Sequence, residues 1–218
     1  MIPKNLFFLW FGDNPPTYCE FAVNAFKAVN PDFNVEFIRK SADEIDNFEN
    51  SKDKILQAAC KYVIKHRADH LNFFCHVSNR YRVYLIKKYG GIYLDCDTFP
   101  VRPFRDGNLL ELDTFYKCTT LKDNGLTIFP DLFHMGSPKY DDIYYKCDTK
   151  FIYPPHVLYC YDDKSMKNKM WWNLHQKFFN CELKYGETMP DSKGKYIEHF
   201  KHLSWKENNR IEKSSKYD

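Results

Sequence analysis

The chain has 218 residues, of which 44% are hydrophobic and 28% charged, a balance that excludes extensive disorder and gives room for one substantial domain. Its 32 basic and 29 acidic residues leave a net charge of only +3, too little to make nucleic acid or an anionic membrane the main partner. No run approaches the roughly 18 to 20 apolar residues of a membrane span, and no two of the eight cysteines form a C-x-x-C zinc or redox motif.

Taken in order, Asn5–Phe11 reads as a buried strand closed by Gly12-Asp13-Asn14-Pro15-Pro16. The apolar part, Leu6–Phe11, is too short for the core of a secretory signal and lacks a following small-residue cleavage site. Free thiols in a cytoplasmic, reducing setting are therefore expected. Thr17 and Glu20 stand at capping-box spacing ahead of Phe21, Ala25 and Val29, which predicts a helix ended by Asn30-Pro31. Val35–Ile38 reads as a second strand, and Ser41 with Glu44 repeats the capping-box spacing for a second helix. Strand, helix, strand, helix is the pattern of an α/β protein with a parallel sheet.

Phe74–Tyr89 is predicted helical, with Val77, Tyr81, Leu85 and Tyr89 at four-residue spacing and Lys87-Lys88 near its negative end. Gly90-Gly91 supplies the stop that helix C-termini commonly need. A strand over Ile92–Asp95 follows, and the chain is expected to turn away at Phe99-Pro100. Further strands are expected at Thr114–Cys118, Leu126–Phe129 and Phe133–Gly136, with a helix over Asn168–Phe179. No internal repeat or Gly/Ser linker interrupts the chain, so one domain over 1–205 is expected, with a polar tail at 206–218.

The chemistry concentrates in Ile92-Tyr93-Leu94-Asp95-Cys96-Asp97. If extension persists through Asp97, period-two alternation places Tyr93, Asp95 and Asp97 on one side. Two carboxylates that close repel unless water or a cation intervenes. A hard divalent cation answers well, with phosphate oxygens and water completing its shell. Asp-x-Asp alone is common on surfaces, but here a helix, a Gly-Gly stop and an apolar strand lead into it. Open α/β folds bind ligands at such carboxyl ends of strands. On the preceding helix Ser78, Asn79 and Arg82 lie within one turn of each other, and Arg82 can pair with phosphate or with a sugar-proximal carboxylate.

These residues match a family pattern. His76-Val-Ser-Asn-Arg-Tyr-Arg82 with Lys88-Tyr-Gly-Gly-Ile-Tyr-Leu-Asp-Cys-Asp97 resembles the Ser-Asp-x-x-Arg … Gly-Gly-x-Tyr-x-Asp-x-Asp signature of the DXD-motif sugar-transfer glycosyltransferases. That family includes yeast initiating α-1,6-mannosyltransferases, bacterial capsular glycosyltransferases and, more distantly, the clostridial glucosylating toxins. Ile2-Pro3-Lys4 with Leu9-Trp10-Phe11-Gly12 resembles the family's opening Ile-Pro-Lys … Ile-Trp-x-Gly, and His199-Phe-Lys-His202-Leu-Ser204-Trp205 its closing His … Ser-Trp.

The resemblance implies a GT-A-like fold, a single domain with a mainly parallel twisted sheet flanked by helices. It implies that Trp10 or the neighbouring backbone at Leu9 contacts the donor base, and that Tyr93 and Asp95 address the ribose and sugar. It places Ser78, Asn79 and Arg82 in the donor site as well. Asp97, with Asp95 beside it, would hold Mn²⁺ or Mg²⁺, and Ser204 and Trp205 would close over the diphosphate. His199 and His202 are weaker site candidates, as are Asp131 and His134, which lie after a predicted strand. Asn79 departs from the family, which has Asp there; the amide keeps the shape but donates as well as accepts.

The expected activity is transfer of a sugar from a nucleoside diphosphate sugar, UDP-linked before GDP-linked, to a hydroxyl on a glycan or other acceptor, with retention implied by the resemblance. Two other readings stand beside it. A catalytically silent nucleotide-sugar-binding protein is favoured by Asn79 and opposed by the intact Asp95 and Asp97. Another metal-dependent nucleotidyl- or phosphoryl-transfer enzyme would share the paired carboxylates but not the Trp10 and Ser204-Trp205 anchors.

Overall fold

The computed structural model describes residues 3–12, 14–54, 56–57, 60, 73–106, 116–117, 133–136, 159–160, 169–190 and 196–200. Strand β1 (Asn5–Phe11) runs through the hydrophobic interior, and its near-continuous apolar sequence suits a strand covered on both faces. Leu6 and Phe8 join one core cluster, while Phe7, Leu9 and Phe11 join another. Helix α1 (Thr17–Val29) covers the first face through Tyr18, Cys19, Ala22, Val23 and Phe26.

The expected capping box at Thr17 does not form. Pro16 takes the cap position with no side-chain bond, Thr17 already lies inside the helix, and Glu20 instead pairs with Arg39. At the other end the buried Asn30 donates from Nδ2 to the Phe26 carbonyl (3.2 Å) and accepts the Phe104 N–H (2.8 Å). Its side chain thus stands in for backbone partners at a helix terminus.

Strand β2 (Asn34–Lys40) pairs with β1 in parallel along its whole length, Asn5 opposite Asn34 and Phe11 opposite Lys40. The second capping box does form: Ser41 and Glu44 bond each other's backbone N–H at the start of α2 (Ala42–Asp46), and a 3₁₀ turn over Asn47–Asn50 follows. Helix α3 (Phe73–Tyr89) covers the other face of the sheet with Val77, Tyr81, Tyr84, Leu85 and Ile86. It ends where the Gly90 N–H reaches the Ile86 carbonyl (2.9 Å), with φ at +64° for Gly90 and +114° for Gly91. A side chain at Gly91 would place its Cβ 2.5 Å from the Asn5 carbonyl oxygen, so the close approach of β3 to β1 requires glycine.

Strand β3 (Gly91–Leu94) lies parallel to β1, Leu6 opposite Ile92 and Phe7 opposite Tyr93. Its other neighbour is β6 (Phe133–Gly136), antiparallel, and β5 (Tyr116–Lys117) is antiparallel to β6. The order β2-β1-β3-β6-β5 therefore joins a parallel three-strand half, flanked by helices, to two antiparallel strands.

A second sheet had no counterpart in the sequence expectations. The segment expected to turn away at Phe99-Pro100 is strand β4 (Thr98–Pro100), antiparallel to β8 (Ile197–His199), which pairs in parallel with β7 (Tyr159–Cys160). Helix α4 (Lys169–Phe179) brings Trp171, Leu174 and Phe178 into the α1-side core, where Phe178 stacks on Phe200 at 4.7 Å. The strand expected at Leu126–Phe129 and the polar tail lie outside the described residues.

Candidate functional site

Strand β3 stops at Leu94, one residue before its expected end, and Cys96-Asp97 forms a turn that leads into β4. The turn therefore bridges the two sheets. Alternation holds only to Cys96: Ile92, Leu94 and Cys96 enter the α1-side core, and Tyr93 enters the α3-side core. Extension does not persist to Asp97, so alternation does not place it. Tyr93 and Asp95 do meet, through a hydrogen bond from the phenol to Asp95 Oδ1.

Asp95 is held from α3. Arg82 is 4% exposed, and its Nη1 lies 3.4 Å from Asp95 Oδ1 while the guanidinium sits 4.5 Å from the centre of the Tyr93 ring. Its Nε also donates to the Ser78 carbonyl one turn back, at 3.4 Å. A flat, weakly hydrated guanidinium tolerates this burial because it stacks on the ring while pairing with the carboxylate. Burial pushes the Tyr93 phenol well above its usual range, outweighing the opposing pull of Arg82. The hydroxyl is therefore a proton-bearing donor to Asp95. The Asp95 side chain keeps 32% of its surface exposed.

Asp97 is held from the far end of the described chain. His199 Nε2 in β8 lies 3.4 Å from Asp97 Oδ1, and the Phe200 N–H donates to the Asp97 carbonyl at 2.8 Å. Both side chains are mostly buried. Two further bonds fix the turn: the Thr98 hydroxyl donates to the Asp95 carbonyl (2.7 Å), and the Cys96 thiol to the Leu9 carbonyl (3.4 Å). Contact with the Cys19 thiol, together with burial, raises the Cys96 pKa well above the usual range.

Leu9 is buried and Trp10 half-buried near the carboxyl end of β1, with Trp10 packed against the α1-side core. Ser78 and Asn79 lie on α3, and the Asn79 side chain is outside the described residues. His134 sits in β6 opposite Tyr93. Asp131, His202, Ser204 and Trp205 also fall outside the described residues.

Nothing in the residue pattern points to Tyr18. Tyr18 of α1 packs in the same core as Cys96 of the turn, and burial raises its phenol, with Cys19 and then Asp97 adding to this. Only the tertiary packing of α1 against β4 could reveal it.

The donor chemistry suits a hard cation. Among the described residues no three His, Cys, Asp or Glu side chains gather into a closed metal cage. Such a cage is not what Mg²⁺ ordinarily uses; one or two carboxylates with water and substrate phosphate suffice. Asp95 and Asp97 on one turn, the first substantially exposed, provide that much.

Residues 16–116 match the sequence model of a family described as "Glycosyltransferase sugar-binding region containing DXD motif". This stretch is similar to a DXD-motif glycosyltransferase region. It contains α1, α3, β3 and the whole Asp95–Asp97 turn, whereas Leu9, Trp10 and the closing segment with His199 lie outside the matched residues.

Among solved structures, the chain is similar to one described as PaToxG glycosyltransferase, with 18% identity over 63% of this chain and 56% of that one, at a TM-score of 0.46. It is also similar to the catalytic domain of alpha-toxin from Clostridium novyi, with 12% identity over 63% of this chain and 55% of that one, at a TM-score of 0.37. The matches thus span little more than half the length of either structure. No curated protein shows significant sequence similarity to the chain.

Proposed function

We propose that this chain transfers a sugar from a nucleoside diphosphate sugar, most readily a UDP-sugar, to a hydroxyl on a glycan or other acceptor, with a divalent metal at Asp95 and Asp97. The observation that carries the reading is the turn itself. Two carboxylates stand at the carboxyl end of β3, between two sheets and inside the DXD region, where open α/β folds bind their ligands.

In this reading Asp97 holds Mn²⁺ or Mg²⁺ with Asp95 beside it, and His199 adjoins the same oxygen. The ion, when bound, neutralises the charge that builds on a departing diphosphate. Asp95 is turned toward the donor by Arg82 and Tyr93, so that its remaining acceptor capacity faces ribose or sugar hydroxyls. Leu9 and Trp10 line the base side, and Ser78 and Asn79 on α3 border the sugar. Ser204 and Trp205 close over the diphosphate, and His134, Asp131 and His202 remain candidates for the acceptor side. Retention of anomeric configuration follows from the family resemblance, and the domain extends over 1–205.

The test is a thermal-shift screen of nucleotide sugars and nucleoside diphosphates with and without Mn²⁺. Ligands that bind only the folded state raise its melting temperature. A shift with UDP or a UDP-sugar that needs Mn²⁺ supports the proposal, and its absence for every nucleotide tested refutes it.

A further inference from the structure

Besides the Arg82 and Tyr93 contacts of Asp95, three hydrogen bonds and the His199 contact hold the Asp95–Thr98 turn, and they differ in what they reach. The Thr98 hydroxyl bond is internal to the turn, His199 comes from β8 and the Phe200 N–H from the residue after it, and the Cys96 thiol alone among these reaches β1. That reach occurs where β1 and β3 part. Their parallel pairing runs from Leu6–Ile92 to Phe7–Tyr93 and then ends. Beyond it β1 continues to Phe11 while the other chain bends into the turn. A cleft at the carboxyl ends of parallel strands opens by such a divergence, and something must set how far it opens.

We infer that Cys96 is a positioning residue that sets the spacing between the two walls of the donor site, with its thiol bonding the turn of Asp95 and Asp97 to the Leu9 carbonyl beside Trp10. The inference rests on the function proposed above. Cys96 stands between the two carboxylates, yet its side chain is 7% exposed and lies in the α1-side core with Cys19 and Leu94. It therefore touches neither donor nor metal. What it controls is the distance from the carboxylates to the base wall, a distance that one ligand must span from its diphosphate to its base. A thiol is a weak donor, but small displacements between groups that act on one ligand are costly.

Three variants separate this role from simple core packing. Cys96→Val fills the volume without a donor, Cys96→Ala leaves a space, and Cys96→Ser keeps a donor. Calorimetry with UDP and Mn²⁺ is expected to show Cys96→Val and Cys96→Ala weakened by about tenfold, with Cys96→Ser nearer the wild type. Hydrogen exchange on the ligand-free protein supplies a second readout, with faster exchange expected in peptides covering 8–12 and 95–98 of Cys96→Val but not of Cys96→Ser.

Wild-type affinity and wild-type exchange in Cys96→Val overturn the inference. So does a loss in Cys96→Ser equal to that in Cys96→Val. If Asp97→Ala binds UDP and Mn²⁺ as the wild type does, the functional reading fails instead, and the exchange comparison still decides whether Cys96 holds the two walls together.

Discussion

Asp95 and Asp97 are two residues apart, yet the protein holds them by opposite means. Asp95 is fixed by near neighbours in sequence, Arg82 thirteen residues back and Tyr93 two residues back, through an ion pair, a ring stack and a hydrogen bond. Asp97 is fixed by the end of β8, more than a hundred residues on, through His199 and the N–H of Phe200 just after the strand. One carboxylate thus belongs to the α3–β3 unit and the other to the junction between sheets. Local unfolding of the second sheet would release Asp97 and leave Asp95 in place, because structural units can open separately.

The largest effect is expected at Asp97. Asp97→Ala or Asp97→Asn should abolish metal-dependent UDP binding while leaving the melting temperature of the ligand-free protein close to that of the wild type. Calorimetry with UDP and Mn²⁺ measures the first and a thermal melt the second. Unchanged metal-dependent affinity would remove Asp97 from the metal site. His199→Ala should produce a smaller loss of the same kind, since it relieves the positioning of Asp97 without removing the carboxylate.

Arg82 tests the other carboxylate. Arg82→Lys keeps the charge but loses the planar fork and the stack on Tyr93, so transfer activity should fall by about a hundredfold while UDP–Mn²⁺ affinity changes less. Arg82→Leu leaves Asp95 without its guanidinium partner and the Tyr93 ring without its stack, and should cost about 1–3 kcal/mol of stability, less than a fully buried pair because Asp95 remains part-exposed. Denaturant unfolding measures the cost. If Arg82→Lys loses affinity for bare UDP as severely as Asp97→Ala does, Arg82 contacts the diphosphate rather than holding Asp95.

The same contrast explains what the sequence disclosed. β1, β2, α3, β3 and β6 were legible from apolar runs, helical spacing and the Gly-Gly stop, all of which act within a few residues. The capping box at Ser41 formed because Glu44 reaches the Ser41 N–H through Oε2 while Lys40 occupies Oε1, whereas the one at Thr17 lost to Pro16 at the cap and to Arg39 as a partner for Glu20. Asp95 with Arg82 was legible because a helix and the next strand bring them together. The second sheet was not, since strands of two and three residues carry too little pattern. His199 stood out only through the family's closing motif, and nothing local linked it to Asp97.

Trp10 offers a third and smaller test, on the wall that neither carboxylate belongs to. Trp10→Ala should weaken UDP binding by about tenfold, the order expected when a base loses one aromatic contact. The stability loss should stay well below the roughly 3–5 kcal/mol of a fully buried Trp, because Trp10 is only half-buried. A full core-sized loss with unchanged nucleotide affinity would make Trp10 a packing residue and shift the base elsewhere.

The smallest effect concerns how α3, which carries Arg82, is seated away from the site. Near its C-terminal end Lys88 pairs with Asp53, and the Tyr84 hydroxyl donates to the same Asp53 oxygen at 2.9 Å. The Lys88 ammonium, bonded directly to the carboxylate, lowers the Asp53 pKa from 3.8 to about 2. A carboxyl group depressed on folding stabilises the protein above its unfolded pKa and loses that contribution as pH falls through its folded pKa. The contribution should therefore be full above about pH 4 and decline toward pH 2. Both side chains are partly exposed, so solvent screening keeps it to roughly 1 kcal/mol or less. Asp53→Asn should remove it, lowering the melting temperature at neutral pH by a few degrees at most and flattening the acid limb between pH 4 and 2. UDP–Mn²⁺ affinity should not change, because Asp53 and Lys88 touch neither carboxylate of the turn. A loss of affinity in Asp53→Asn would show that the seating of α3 reaches Asp95 through Arg82, and the separation between the two holds would then be incomplete.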